Sequence, residues 1–407
     1  MLNFADNPSL TVLDSTVRKG QPPAGEGRLR LRHVDGTRLL MMADTLAGGG
    51  AQRAILDLVN AAQARRDVEI VLAVSQKTGI LKDAFPKSTK IYEYGAFRSA
   101  HNALSNARRL RQICRDERVD AIVSHMTTVN KAVLRAKMIA PTLPPVYCVE
   151  HTEIGRQLFD IPSRWKRRTR PVEFRLLYPR ATKIITVSGG IQCELQRFCG
   201  LDPQLFATIL NPVDRDRGRG PSEEPLKPGP RGKVVISVGR LEGVKNFKAL
   251  LRVFAAVVAE RKHRDDRLVI LGEGYQRAKL CALAAELDIE EQFHLPGFSD
   301  NIYAHLRAAD LFVSTSFYEG LGNATLEAIA AGVPCISTET AGSRELARHL
   351  DAIHLVPQGD EIELRAAILE QLEKASLTVT AADLAFIDSL APGSVLERYL
   401  SVISKGA

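Results

Sequence analysis

Tryptophan occurs once and methionine five times in the 407 residues, and the six cysteines stand singly at Cys114, Cys148, Cys193, Cys199, Cys281 and Cys335. There is no C-x-x-C pair and no His/Cys cluster at zinc spacing, which argues against a metal centre or a disulfide scaffold and for reduced thiols in a cytosolic protein. No apolar run approaches the ~18 residues of a membrane-spanning helix. Asp6 and Asp14 stand where a signal peptide needs a basic and then an apolar segment, so a cytoplasmic location is expected. No internal repeat of ~20 to 50 residues stands out.

What is present is an ordinary globular balance, 45% hydrophobic and 25% charged, in a chain long enough for two separate cores. The net charge of +8 points to an anionic partner such as a nucleotide, a nucleic acid or a lipid surface. Residues 1–36 lack periodicity and contain Gly20, Pro22, Pro23, Gly25 and Gly27, the composition of a flexible extension. Beyond them, apolar strand patterns alternate with helical ones. Strands are predicted at Arg38 to Asp44, Val68 to Ser75, Lys90 to Tyr94, Ala121 to Met126, Val146 to His151, Lys183 to Ser188 and Ala207 to Asn211, and helices at Asn102 to Arg118, Asn130 to Ile139 and Ile191 to Phe198. Such alternation implies an α/β fold with parallel, doubly wound sheets. Residues 212–232, PVDRDRGRGPSEEPLKPGPRG, carry Pro, Gly and charge without an apolar period and read as the linker between a domain at 37–211 and a second at 233–380. Two helical segments are expected after Glu361, and 381–407 forms a helical tail.

The stretch Ser314 to Glu345, STSFYEGLGNATLEAIAAGVPCISTETAGSRE, combines a strand ending at Ser316, a glycine-rich loop, a helix opening near Asn323, a stop at Gly332 and a second strand. Ligands of parallel sheets bind at the carboxyl ends of strands. With Asn323 as N-cap, the amides of Ala324, Thr325 and Leu326 become free donors suited to phosphate. Glu319 in the loop and Glu327 on the helix then either hold sugar hydroxyls beside that phosphate or are a solvated acid and a dipole complement. Gly48, Gly49 and Gly50 follow the first strand, as a ligand-facing loop or a plain turn. Arg240 and Lys245 flank a strand end and a helix start, as pyrophosphate ligands or as surface charges. Gly272 and Gly274 in GEG fall short of a full G-x-G-x-x-G fingerprint, and Gly297 ends another strand. His125 and His151 close two strands of the first half.

Arg164 to Arg180, RWKRRTRPVEFRLLYPR, mixes seven Arg or Lys with Trp165, Phe174, Leu176, Leu177 and Tyr178. That composition suits an anionic membrane surface, or a solvated basic helix face that packs its aromatics inward. No RNP-type or zinc-knuckle motif accompanies the charge, so nucleic acid is not expected as a partner.

The string E-x7-E followed by A-x-A-x-G-x-P closely resembles the signature of the retaining GT-B glycosyltransferases of the GT4 family, the glycosyl transferases group 1. GGGAQRAI at the first strand, VEHT at His151, N-P-V-D at Asn211 and G-R-L-x-x-x-K-N at Arg240 and Lys245 resemble further motifs of that family, over roughly residues 38 to 375. The resemblance implies two Rossmann-like domains facing a cleft, with the last helix crossing back to the first domain. It implies a nucleoside-diphosphate sugar as donor, UDP- or GDP-linked, and a glycan or lipid-linked acceptor in cell-surface polysaccharide or glycolipid synthesis, with the protein peripheral on the inner face of the cytoplasmic membrane. By the same resemblance Glu319 contacts the transferred sugar, His151 lies near the reacting carbon, and Arg240 and Lys245 stabilise the leaving diphosphate without a metal or other cofactor. Gly49 and Gly50 face the donor phosphates and Glu327 the ribose. Gly272 and Gly274 lie beside the nucleotide, Gly297 meets the base, and Gly322, Asn323, Ala324 and Thr325 complete the donor site. The absence of a D-x-D at any strand end agrees with metal independence. A non-catalytic nucleotide- or glycan-binding scaffold and another GT-B enzyme, such as a nucleotide-sugar epimerase, remain the competing readings.

Overall fold

The structure is a computed structural model that describes residues 36–95, 103–153, 164–217, 232–263, 265–299 and 301–406, with side chains at 164–170 not described. The extension expected at 1–36 lies, except for Gly36, outside the described residues. The first half runs β1 (Thr37–Ala43), α1 (Gly50–Gln63), β2 (Val68–Val74), β3 (Ile91–Glu93), α2 (Ala103–Asp116), β4 (Ala121–His125), α3 (Thr127–Ile139), β5 (Val146–Glu150), α4 (Arg164–Leu177), β6 (Lys183–Thr186), α5 (Gly189–Cys199) and β7 (Phe206–Thr208). All seven strands pair in parallel in the order β3-β2-β1-β4-β5-β6-β7. Helices cover both faces of such a sheet, so a central strand needs apolar residues at every position and not at alternate ones. Leu39 to Ala43 of β1 are accordingly all at 0% exposure.

The second half repeats the pattern with β8 (Val234–Val238), α6 (Phe247–Arg261), β9 (Arg267–Leu271), α7 (Arg277–Glu286), β10 (Phe293–Gly297), α8 (Ile302–Arg307), β11 (Leu311–Ser314), α9 (Asn323–Ala330), β12 (Cys335–Thr338), α10 (Ala341–Leu346), β13 (Ile353–Val356) and α11 (Glu361–Lys374). Its sheet is again parallel, β10-β9-β8-β11-β12-β13. In both sheets the order reverses between the first strand and the fourth. The crevices beyond β1 and β4, and beyond β8 and β11, are therefore where this topology places a ligand.

Three helices follow Glu361, where two were expected, because α12 (Ala381–Ser389) precedes α13 (Pro392–Gly406). The apolar Leu384, Phe386 and Ile387 of α12 form no helical stripe, so its start is set by a capping box in which Thr380 and Asp383 bond each other's backbone amides. α13 returns to the first half, packing along α1 with Leu396, Tyr399 and Ile403 buried. Tyr147 of β5 donates its hydroxyl to the Ile403 carbonyl at 3.0 Å. The 212–217 part of the linker is tied down: the Val213 amide donates to the Leu390 carbonyl at 2.9 Å, and Arg215 to Asp388 at 2.7 Å. Residues 218–231 lie outside the described set.

In the basic stretch, Phe174, Leu177 and Tyr178 point into the core at 0%, 6% and 0% exposure, and Lys131 sits 4.4 Å from the Phe174 ring centroid. These three belong to the packing under α4 and not to an outer surface, so of the two readings of the stretch it is the inward-packed one that holds for Phe174, Leu177 and Tyr178. Val172 and Leu176 remain exposed, and Trp165 lies among the side chains not described.

Candidate active site

Beyond β8 and β11 the two loops of the second half are stitched together. Phe317 donates its amide to the Val244 carbonyl at 2.9 Å, and the Thr315 hydroxyl donates to the Lys245 carbonyl at 2.9 Å. This brings Lys245 Nζ into an ion pair with Glu319 Oε1, which also accepts from the Ser316 hydroxyl at 2.7 Å. Both partners are only about one-fifth exposed, so each charge leans on the other more than on water. Arg240 is not part of this cluster. Its side chain is 70% exposed and donates to Glu242 Oε1 at 2.7 Å.

The opening of α9 differs from expectation in one respect. Gly322, at φ +88°, is the N-cap, a left-handed position that favours glycine over Asn323. The Thr325 and Leu326 amides are consumed by the Gly322 carbonyl at 3.0 and 3.2 Å, leaving those of Asn323 and Ala324 as the donors at the helix start. The Asn323 side chain instead accepts from Asn211 Nδ2 at 2.8 Å, across from the first half. Gly50 faces the same side chain, since a Cβ there would lie 2.5 Å from Asn323 Nδ2. The glycine loop of α1, with Gly49 as N-cap, thus meets the α9 start directly.

Glu327 is largely buried one turn into α9, with Arg53 of α1 4.0 Å away. Burial pushes its carboxyl up from the usual range while Arg53 and Arg217 pull it back. Arg217 in turn pairs with Asp57 of α1. Gly272 packs on the Gly239 carbonyl, Gly274 on the Leu241 backbone and Gly297 beside the Glu273–Arg277 pair, and Gly239 itself lies against the Lys245 side chain.

In the first half His125 and His151, at the ends of neighbouring strands, approach to 3.0 Å through Nδ1 of the first and Nε2 of the second. Their other nitrogens, Nε2 and Nδ1, are buried without a hydrogen-bond partner. Burial lowers both imidazoles, His151 to about 4 and His125 well below its ordinary value, so both are neutral near pH 7. Beneath them Glu150 accepts from Tyr178, from Asn130 Nδ2 at 2.8 Å and from Thr127 at 2.7 Å, and burial raises its carboxyl. Met126, between His125 and α3, takes φ +73° and ψ 143°, a region costly for a side chain.

Residues 48–217 match the model of a family described as Glycosyltransferase Family 4, and residues 222–382 that of Glycosyl transferases group 1. The chain belongs to these glycosyltransferases. This glycosyltransferase is 33% identical, over 172 residues, to the N-acetylgalactosamine-N,N'-diacetylbacillosaminyl-diphospho-undecaprenol 4-alpha-N-acetylgalactosaminyltransferase of Campylobacter jejuni, covering 42% of this chain and 45% of that one. It is also 33% identical over 135 residues to the lipopolysaccharide core biosynthesis glycosyltransferase LpsD of Rhizobium meliloti, 33% of this chain and 38% of that one. The chain thus spans less than half the length of these two curated relatives. Among solved structures, Anabaena HepE in complex with UDP and glucose superposes with a TM-score of 0.71 at 18% identity, covering 90% of this chain and 99% of HepE. WaaG, a glycosyltransferase involved in lipopolysaccharide biosynthesis, gives 0.68 at 17%, covering 90% and 99%. These likenesses establish the GT-B fold expected from the sequence.

Within the glycosyltransferase, Lys245, Glu319, Gly322, Asn323 and Ala324 converge with Gly50, and His151 joins them through its carbonyl, which contacts Gly320. Glu153, Asn211, Arg53 and Ser316 were not singled out as contacts in the sequence. Asn211 had a signal in the N-P-V-D run, Arg53 in the GGGAQRAI string and Ser316 as a strand end, whereas the contacts of Glu153 depend on how the halves meet. An unfolded imidazole takes a proton near pH 6.5, whereas folded His151 stays neutral to about 4. Its contribution to stability is therefore full above 6.5 and is lost as pH falls between the two values. We predict that His151→Gln flattens the dependence of the urea midpoint on pH between 6.5 and 4, by at most about 1.4 kcal/mol per pH unit. Superimposable profiles would contradict a buried neutral imidazole.

Proposed function

We propose that this chain is a retaining, metal-independent glycosyltransferase that moves a sugar from a nucleoside-diphosphate sugar, UDP-linked in preference to GDP-linked, to a glycan or lipid-linked acceptor in cell-surface polysaccharide or glycolipid synthesis. The observation that carries this reading is the Lys245–Glu319 pair beyond β8 and β11, on the loop that leads into the free Asn323 and Ala324 amides at the start of α9. Cleavage of the sugar-phosphate bond develops negative charge on the departing diphosphate, and a cation beside oriented amides in a poorly hydrated cleft stabilises it. Lys245 turns from Glu319 to that diphosphate when the donor binds. Glu319 is then released to accept hydrogen bonds from the sugar hydroxyls, with His151 beside the reacting carbon. Glu327 takes the ribose hydroxyls, Thr325 supports the loop, and Gly49, Gly50, Gly272, Gly274 and Gly297 let backbone approach the nucleotide. Arg240, exposed and paired with Glu242, swings inward to assist. The UDP in the HepE complex and the diphospho-undecaprenol in the name of the Campylobacter relative support this donor and acceptor class.

A peripheral place on the inner membrane face rests on the exposed Val172 and Leu176 of α4, with Arg180, Lys137 and Met138 forming one surface hollow nearby. Lys245→Ala should lower turnover of the cognate nucleotide sugar by about 100- to 1000-fold at unchanged melting temperature. Near-normal turnover would remove Lys245 from the leaving-group role, and a wild type that turns over no nucleotide sugar would bring forward the scaffold or epimerase reading. Sedimentation with anionic vesicles should weaken in Leu176→Glu, and equal binding by that variant would argue against membrane contact through α4.

A further inference from the structure

Two carboxylates cross between the halves of the molecule in opposite directions. Glu153, two residues beyond His151 in the first half, accepts at Oε1 from the Glu319 amide at 3.2 Å and from the Ala341 amide at the start of α10 at 3.0 Å. Glu345, on α10 of the second half, accepts at Oε2 from the Gly189 amide at the start of α5, at 3.1 Å. Both are nearly sealed from water, at 5% and 9% exposure. Glu345 also pairs with Arg348 of its own helix at 3.4 Å, but the cross-seam amides offset part of the cost of burying each carboxylate, and separating the halves would take those amides away.

The backbones are shaped for the same contact. A Cβ on Gly320 would fall on the His151 carbonyl, and one on Gly190 would lie 2.6 Å from the Ala341 Cβ. Gly320 has no unusual φ, so it is glycine because the other half comes close and not because its own turn needs it. The loop that presents Glu319 is held from its own half by Lys245, by Ser316, by the Val244 carbonyl on the Phe317 amide and by the Gly342 amide on the Glu319 carbonyl at 3.0 Å, and from across the cleft by Glu153. The contacts within the half stay with it when the halves separate, and the Glu153 contact does not.

We propose that Glu153 is a positioning residue for the transfer step, its carboxylate fixing the Glu319 loop only when the two halves are closed, with Glu345 on the Gly189 amide as the reciprocal half of the same clasp. The proposal rests on the transferase reading for its catalytic consequence and on geometry alone for the clasp. Closure and correct placement of Glu319 become one event, so an open molecule with donor bound holds its sugar-contacting carboxylate loosely and is protected from wasteful attack by water. A displacement of about 1 Å at such a group costs up to roughly 100-fold in rate.

Hydrogen exchange and steady-state kinetics on Glu153→Ala and Glu153→Gln test this together, with melting temperatures to confirm folding. Glu153→Ala should raise exchange in peptides covering Glu319 and Ala341 by about 10-fold, since a lost acceptor frees those amides. It should lower kcat for the donor by about 10- to 100-fold while donor KM stays within about 2-fold. Glu153→Gln, whose amide oxygen still accepts both N–H groups, should restore both readouts to within about 3-fold of wild type. Unchanged exchange in Glu153→Ala, or a Gln variant as impaired as Ala, would overturn the positioning role. A wild type that turns over no nucleotide sugar would overturn the transferase reading and the catalytic half of this proposal, while the exchange measurement still decides whether Glu153 holds the loop.

Discussion

Lys245 and Glu319 carry opposite charges into a cleft with little water, and each is tolerable there because of the other. The pair spans the loops after β8 and β11, and those loops meet because the strand order of the second sheet reverses between these two strands. An ion pair of this kind contributes little to net stability, because desolvation offsets much of the attraction. In the proposed reaction its value lies in holding a cation and an anion in readiness, an incoming diphosphate competing for the first and sugar hydroxyls for the second.

The first half supplies what the second cannot provide from its own surface. Gly50 and Asn211 flank Asn323, the His151 carbonyl packs on Gly320, and Glu153 reaches the Glu319 amide. Each of these residues stands in the loop beyond a strand of the first sheet, or at the start of the helix that follows it. The return of α13 onto α1 adds a second tie between the halves. Beneath the contact, buried His125 and the triply bonded Glu150 form a polar floor, and His125 holds His151 at 3.0 Å.

Much of this was legible in the sequence because it rests on local signals. Continuous apolar runs marked the buried strands to within a residue or two at most ends, and Gly332 and the glycine loops marked their turns. The two glutamates, Lys245 and His151 stand near strand ends, but their residue types alone left them open between site and surface roles, and only the resemblance to the GT4 motifs pointed to roles for them. Other features depended on tertiary fit. Gly322 took the cap from Asn323 because Asn323 is engaged by Asn211, and Phe174 and Tyr178 turned inward because α4 packs against α3. Helix α12 is held by a capping box and lacks an apolar stripe, so periodicity missed it. Glu153 looks in sequence like any loop acid, and only the meeting of the halves brings it the Glu319 and Ala341 amides.

The most direct test is a thermal-shift titration of the full chain with UDP, GDP and ADP, repeated on Lys245→Ala. One nucleoside diphosphate should stabilise the wild type by about 2.7 kcal/mol at 100 times its dissociation constant, and the variant should lose most of that shift at the same concentration. If no nucleoside diphosphate stabilises the wild type, or if the variant responds as the wild type does, the Lys245–Glu319 pair is not the heart of a donor site.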